Sequence, residues 1–136
     1  MTYNEKKRFL ESYINSMRRI RGLQNELEEW VTTATNITQK LKPVMVQNGF
    51  SSSKIENSAI KIAELEDEID KEIELAMQKR DMVKETISKI RDTRRREIVE
   101  MRYVNCMSVR KISREIGKDG TNVYKMLQRS IKTLDI

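Results

Sequence analysis

The last helical segment, from Gly120 to about Leu134, carries polar side chains that can donate or accept hydrogen bonds. Helical periodicity directs Val123, Met126 and Leu127 inward, so the other positions of its first turns face outward. An amide can pair with adenine, an ammonium can donate to guanine, and a threonine or tyrosine can touch a thymine methyl group. The candidates for base readout are Gly120, Thr121, Asn122, Tyr124, Lys125 and Gln128.

Basic side chains surround these positions. Residues 1–90 contain equal numbers of acidic and basic residues, so the whole net charge of +6 belongs to residues 91–136. A basic segment attached to a neutral one indicates a polyanionic partner, although charge alone fits a solvated basic tail equally well. The candidates for DNA phosphate contacts are Arg94, Arg95, Arg110, Lys111, Arg114, Lys118, Arg129 and Lys132.

Three short helices are needed to position these side chains, and the pattern predicts them at 94–104, 109–116 and 120–134. Their expected N-caps are Asp92 or Thr93, then Ser108, then Asp119. Gly117 stands where the chain needs a positive φ between the second and third helices. This is the layout of a helix-turn-helix formed by the helices at 109–116 and 120–134, of which the later one enters the major groove. A three-helix cap with no DNA role is the alternative, and the local charge disfavours it.

Residues 94–134, RRREIVEMRYVNCMSVRKISREIGKDGTNVYKMLQRSIKTL, also resemble a known family. The Arg-rich start, the Met-Arg-Tyr at 101–103, the Ser before Ile-x-x-Glu-Ile-Gly and the spacing from Val123 to Leu134 look like region 4 of sigma-70-type factors. The whole chain is similar to small sigma-region-4-like regulators of phages and prophages of Gram-positive bacteria. The resemblance implies a transcription regulator that binds double-stranded DNA.

The chain departs from that family at two places. Lys118 stands where the family usually has an apolar residue, and the recognition helix begins with Gly120-Thr121-Asn122 in place of an Arg-Glu-Arg type of sequence. The resemblance therefore carries over no DNA target, and the −35 promoter element is not assumed.

Two long helices are predicted ahead of this module. The first runs from about Tyr3 to Leu41, with Thr2 and Glu5 as a capping box and Pro43 beyond its end. A connector at 44–53 follows, then a helix at 54–91 with Ser53 and Glu56 as a second capping box. Apolar residues in each helix recur in steps of four and three, which draws a seam for a partner helix. The first seam is Phe9, Tyr13, Ser16, Ile20, Leu23, Leu27, Trp30, Ala34, Ile37 and Leu41. The second seam is Ile55, Ala59, Ile62, Glu66, Ile69, Ile73, Ala76, Arg80, Val83, Ile87 and Ile90.

The expected fold is all-α: a long antiparallel, coiled-coil-like helical hairpin at 1–91, then a three-helix helix-turn-helix DNA-binding domain at 92–136. Alternatively, each seam meets another chain. Leu65, Leu75 and Met82 would lie at the edge of a lone hairpin and favour a homodimer. The regulator would then bind DNA as a homodimer. In the other version of the same regulator, the hairpin docks on RNA polymerase.

Enzyme chemistry has little support. The chain has no His and a single Cys, Cys106, which is expected to be a half-buried structural residue. The acidic residues of 64–74 are expected to be a solvated face and not a metal site, because helical-bundle metal sites pair carboxylates with His.

We expect no cofactor and no small-molecule substrate. We also expect no membrane partner, since no apolar run approaches about 18 residues. We expect neither a secretory signal nor a location outside the cytoplasm of a bacterial host. The competing function is a protein-interaction module that binds a partner through the hairpin without reading DNA.

Overall fold

The computed structural model describes the backbone of residues 1–41 and 49–136, and the side chains of residues 1–37 and 53–136. Within these ranges all of the regular secondary structure is α-helical. The predictions for Pro43 and for the connector at 44–48 lie outside the described residues. None of the helices described combines the length and apolarity needed to cross a membrane. The helices are α1 (Tyr3–Leu41), α2 (Gly49–Ser88), α3 (Thr93–Tyr103), α4 (Val109–Ile116) and α5 (Gly120–Thr133).

The start of α1 follows the predicted capping box. The Thr2 backbone N–H donates to Glu5 Oε2 at 3.0 Å, and the Glu5 N–H donates to Thr2 Oγ1 at 3.2 Å. Each side chain thereby satisfies a backbone donor that the first helical turn leaves without a partner.

The bounds predicted for α2 were wrong at both ends. The helix begins at Gly49, so Ser53 is already helical and the capping box of Ser53 with Glu56 does not form. One glycine and three serines cost a helix only about 0.5–1 kcal/mol each, which a helix of this length absorbs. At the other end α2 stops at Ser88, and the Ile90 N–H turns back to the Ile87 carbonyl at 3.0 Å.

The seam of α2 is displaced by one residue at every second position. Ile62, Ile69, Ala76, Val83 and Ile90 are at least half-buried as predicted, but the positions between them precede the predicted ones. These positions are Ser58, Leu65, Glu72, Lys79 and Thr86, in place of Ala59, Glu66, Ile73, Arg80 and Ile87. Only Ile87 of the replaced set is also buried, and Ile73 is exposed. The periodicity favoured Ile73 over Glu72 because charged side chains seldom occupy a seam.

Residues 18–74 form one compact unit, in which α1 and α2 pair through apolar and ionic contacts. Ile20, Leu65 and Ile69 are buried there, so the prediction that Leu65 lies at an uncovered edge was wrong. Arg19 Nε lies 2.9 Å from Glu72 Oε1, and Arg19 Nη2 lies 3.5 Å from Glu68 Oε1. Glu72 therefore occupies the seam because an arginine of the facing helix neutralises its charge.

Residues 1–17 and 75–136 form the other compact unit, which contains the start of α1, the end of α2 and the three short helices. Leu10 and Ile14 of α1 and Val83 and Ile87 of α2 share one buried cluster with α3, α4 and α5. The sequence pattern missed Leu10 and Ile14 because both lie off the predicted seam of α1. The two domains predicted on either side of residue 91 remain a prediction about function, since the packing of this unit draws on residues from both.

Leu10 provides a test of this shared core. Its side chain is 0% exposed, so Leu10→Ala should lower the free energy of unfolding by about 2–5 kcal/mol through lost apolar contacts and the cavity left behind. Urea denaturation followed by circular dichroism measures the loss. Met82→Ala is the matched control in the same unit, because Met82 is 55% exposed and should change stability little. Equal midpoints for wild type and Leu10→Ala would contradict the packing of α1 in this core.

Candidate nucleic-acid interface

Two side-chain hydrogen bonds anchor the start of α3. The Arg95 N–H donates to Asp92 Oδ1 at 3.1 Å, which confirms Asp92 as the N-cap. Arg96 Nη1 donates to the Ile90 carbonyl at 3.1 Å, so the last of the three consecutive arginines ties α3 back to the segment that follows α2. Arg94 and Arg95 remain exposed in the first turn.

The turn between α3 and α4 is closed by backbone hydrogen bonds. The Met107 N–H donates to the Met101 carbonyl at 3.0 Å, and Cys106 takes a positive φ of 56°. Cys106 is exposed, so the half-buried position expected for it was wrong. Ser108 accepts the Lys111 N–H at 3.1 Å and caps α4 as predicted.

The turn between α4 and α5 fixes the start of the last helix. Gly117 has φ of 68° and ψ of 28°, and its N–H donates to the Ser113 carbonyl. The Ser113 hydroxyl donates to the Lys118 carbonyl, which holds the two sides of the turn together. The Asn122 N–H then donates to Asp119 Oδ1 at 2.8 Å, so Asp119 is the N-cap of α5.

The apolar face of α5 is the one that the sequence predicts. Val123, Leu127 and Ile131 are buried against α3 and α4, and Leu134 is buried just beyond the helix. Met126 is half-buried against the same core. A helix held along one whole face has its opposite face fixed toward solvent.

That opposite face carries the residues expected to read bases. Thr121, Asn122, Tyr124 and Lys125 are exposed, with Tyr124 at 49%. Gln128 is half-buried. Gly120 is also half-buried, and a Cβ built on it would lie 3.9 Å from Val109 Cγ1, an ordinary contact distance. The structure thus brings all six residues onto one helix, while their contact with DNA remains a prediction.

The residues expected to contact phosphates are all exposed, but they do not share one element. Lys132 differs from the others because the start of α1 lies beside it. Its ammonium is 6.0 Å from the centre of the Tyr3 ring, and its carbonyl accepts from Lys6 Nζ at 3.2 Å. The set comprises Arg94 and Arg95 on α3, Arg110, Lys111 and Arg114 on α4, Lys118 in the turn, and Arg129 and Lys132 on α5.

A groove of about 100 Å³ borders the exposed face of α5 and adds residues that sequence reasoning missed. Lys7 of α1 and Arg102 of α3 line it together with Tyr124 and Gln128. No local pattern connects residue 7 with residue 128. The signal was present as a second apolar stripe on α1, because Tyr3, Leu10 and Ile14 follow each other in steps of seven and four. The groove is far smaller than the roughly 300–1,000 Å³ of a small-molecule site.

Tyr103 also lines this groove. Burial, followed by the negative charge of Glu11, raises the pKa of the Tyr103 phenol to about 12. The phenol is therefore uncharged at neutral pH. The fixed positive charges beside the groove belong to Lys7 and Arg102.

One protein-family model matches the part of the chain that contains α3, α4 and α5. Residues 92–134 match the family model described as sigma-70, region 4. These residues form a sigma-70 region 4-like domain. The search for similar proteins gave no match among the curated proteins, nor among the solved structures.

The match indicates what kind of function the region 4-like domain has. Region 4 is a DNA-binding domain of transcription regulation and not an enzyme domain, which agrees with the regulatory class expected from the residues. The part of the chain that the structure describes contains no group of three or more acidic, cysteine or histidine residues placed to hold a metal ion.

Gly117 provides a test of the turn that orients α5. Gly117→Ala should lower the free energy of unfolding by about 1–2 kcal/mol, because a Cβ is strained at positive φ even in open space. Gly22→Ala is the matched control: it lies within α1 with open space around it, and it should raise stability by about 0.5–1 kcal/mol. Thermal unfolding of each variant, compared with wild type, measures both changes in stability. Shifts of the same sign would contradict the left-handed turn at Gly117.

Proposed function

We propose that the protein is a sequence-specific transcription regulator that binds double-stranded DNA by placing α5 in the major groove. Its proposed setting is the cytoplasm of a bacterial host, with a phage or prophage as the source of the gene, as the resemblance of the chain implies. One observation carries the proposal. The helix that corresponds to the recognition helix is fixed by a buried apolar face and leaves Thr121, Asn122, Tyr124 and Lys125 exposed.

The charges around α5 support binding to a nucleic-acid backbone. Arg110, Lys111 and Arg114 are exposed on α4, and Lys118 and Arg129 are exposed on either side of the readout positions. Contacts of such residues with phosphates set the register and supply much of the affinity, whereas base contacts of α5 supply the specificity.

A single helix-turn-helix covers few base pairs, so specific binding usually needs two of them or a second anchor. The hairpin offers surface for either solution, since several of its apolar side chains are exposed. These are Met17, Val31, Ile55, Ile60, Ile73, Leu75, Met77 and Met82. A homodimer on a two-fold site is one version of the regulator, and recruitment by RNA polymerase is the other.

The same exposed apolar residues favour a second candidate function. In it the hairpin binds a protein partner and the basic helices dock on an acidic protein surface. Binding to plain duplex separates the two candidates, because release of counterions makes DNA binding fall steeply with salt.

The readout by α5 is tested by substituting Asn122 and Lys125. Each change to Ala should relax the preference at one base-pair position by about 1–3 kcal/mol. Asn122→Ala retains the backbone N–H that Asp119 accepts, so the cap of α5 survives. Selection from a pool of random duplexes, followed by sequencing, measures the preference for wild type and for each variant.

Asn57→Ala is the matched control, because Asn57 is also exposed but lies on α2. It should select the same sites as wild type. Unchanged preferences in both α5 variants would contradict the placement of this helix, and no enrichment by wild type would contradict sequence reading altogether. Enriched half-sites about 10 base pairs apart would indicate the homodimer, and a single short site would favour recruitment by polymerase.

A further inference from the structure

The first turns of α1 lie against the region 4-like domain on the side of Tyr124 and Gln128. Lys7 lines the same groove as these two α5 residues, as does Arg102 at the end of α3. Two basic side chains from outside α5 therefore flank positions proposed to read bases. Lys7 stands far outside residues 92–134, so the family match assigns it no role.

The start of α1 is held in this place by several independent contacts. Leu10 and Ile14 are buried in the common core, which fixes the helix one and two turns beyond Lys7. Lys6 Nζ donates to the Lys132 carbonyl at 3.2 Å, and the Lys132 ammonium lies 6.0 Å from the centre of the Tyr3 ring. The position of Lys7 beside α5 is thus a consequence of packing and does not depend on a flexible tail.

Lys7 forms only a weak ion pair within the chain. Its Nζ lies 4.0 Å from Glu11 Oε1, and the two side chains are 37% and 33% exposed. A half-exposed pair at this distance contributes little to stability, so a phosphate oxygen can replace the carboxylate as partner.

Arg102 is oriented toward the same groove. Its Nη1 donates to the Met107 carbonyl at 3.0 Å, and its guanidinium lies 5.9 Å from the centre of the Tyr103 ring. A guanidinium has five N–H donors, so one backbone hydrogen bond leaves others for a second acceptor.

We propose that Lys7, with Arg102 beside it, binds a backbone phosphate of the DNA duplex whose bases α5 reads. The interface then extends beyond the region 4-like domain to the start of the hairpin. This inference rests on the proposed function, and Lys7 serves as a phosphate contact that fixes the register of α5 without reading sequence itself.

The inference is tested by the salt dependence of binding. The full-length protein is titrated with a labelled mixed-sequence duplex over a series of KCl concentrations, with fluorescence anisotropy as the readout. Loss of one phosphate contact should make the slope of log K against log [KCl] shallower by about 0.9, so Lys7→Gln should show that change and Lys7→Arg should not. Lys61→Gln is the matched control, because Lys61 is also half-exposed but belongs to α2 in the other compact unit. It should retain the wild-type slope.

Glu11→Gln gives a prediction of opposite sign. It removes the carboxylate that competes with phosphate for Lys7, so it should tighten binding at every salt concentration. Thermal melts of Lys7→Gln and Glu11→Gln should match wild type, which separates a binding effect from unfolding. Tighter binding by Glu11→Gln together with the shallower slope of Lys7→Gln supports the inference.

The outcomes also separate the inference from the proposed function. If Arg110→Gln makes the slope shallower while Lys7→Gln and Lys61→Gln both keep it, the protein binds DNA but α1 takes no part, and the inference is overturned. If wild type shows no salt-dependent binding to the duplex, the inference and the proposed function are both overturned.

Discussion

Three helices of 11, 8 and 14 residues enclose little apolar volume, and the burial of Leu10 and Ile14 among them is the interaction on which the rest depends. Small domains bury a low fraction of their surface and often need support from outside. Here the support comes from the start of α1, which contributes Leu10 and Ile14, and from the end of α2, which contributes Val83 and Ile87 to the same core. The hairpin is therefore part of what stabilises the region 4-like domain.

This core has a direct consequence for function. By holding Val123, Leu127 and Ile131, it fixes which face of α5 is turned to solvent. Two local polar features define the start of α5: Asp119 accepts the Asn122 N–H in the first turn of the helix, and Gly117 sets the angle between α4 and α5. Apolar packing orients the helix, and short-range hydrogen bonds define its start. In the proposed function, exposed cations supply the attraction to a polyanion.

Most features set by neighbouring residues were predictable from the sequence, although the capping box of Ser53 with Glu56 does not form because Ser53 is already helical. The caps at Thr2, Asp92, Ser108 and Asp119 and the left-handed Gly117 involve groups within five residues of each other, and all of them form. Features set by distant residues were not. At Glu72 the α2 seam differs from the predicted one because Arg19 of the facing helix neutralises the glutamate. The groove beside α5 was missed because it brings residues separated by most of the chain into contact.

Chemical modification of lysines tests most directly whether DNA lies on the exposed face of α5 and on the basic residues around it. The full-length protein is acetylated with and without a mixed-sequence duplex, and mass spectrometry gives the protection of each lysine. Lys111 and Lys125 should become protected, while Lys61, Lys71 and Lys84 on α2 should react as before. Protection confined to the α2 lysines, or no protection of Lys125, would contradict the account.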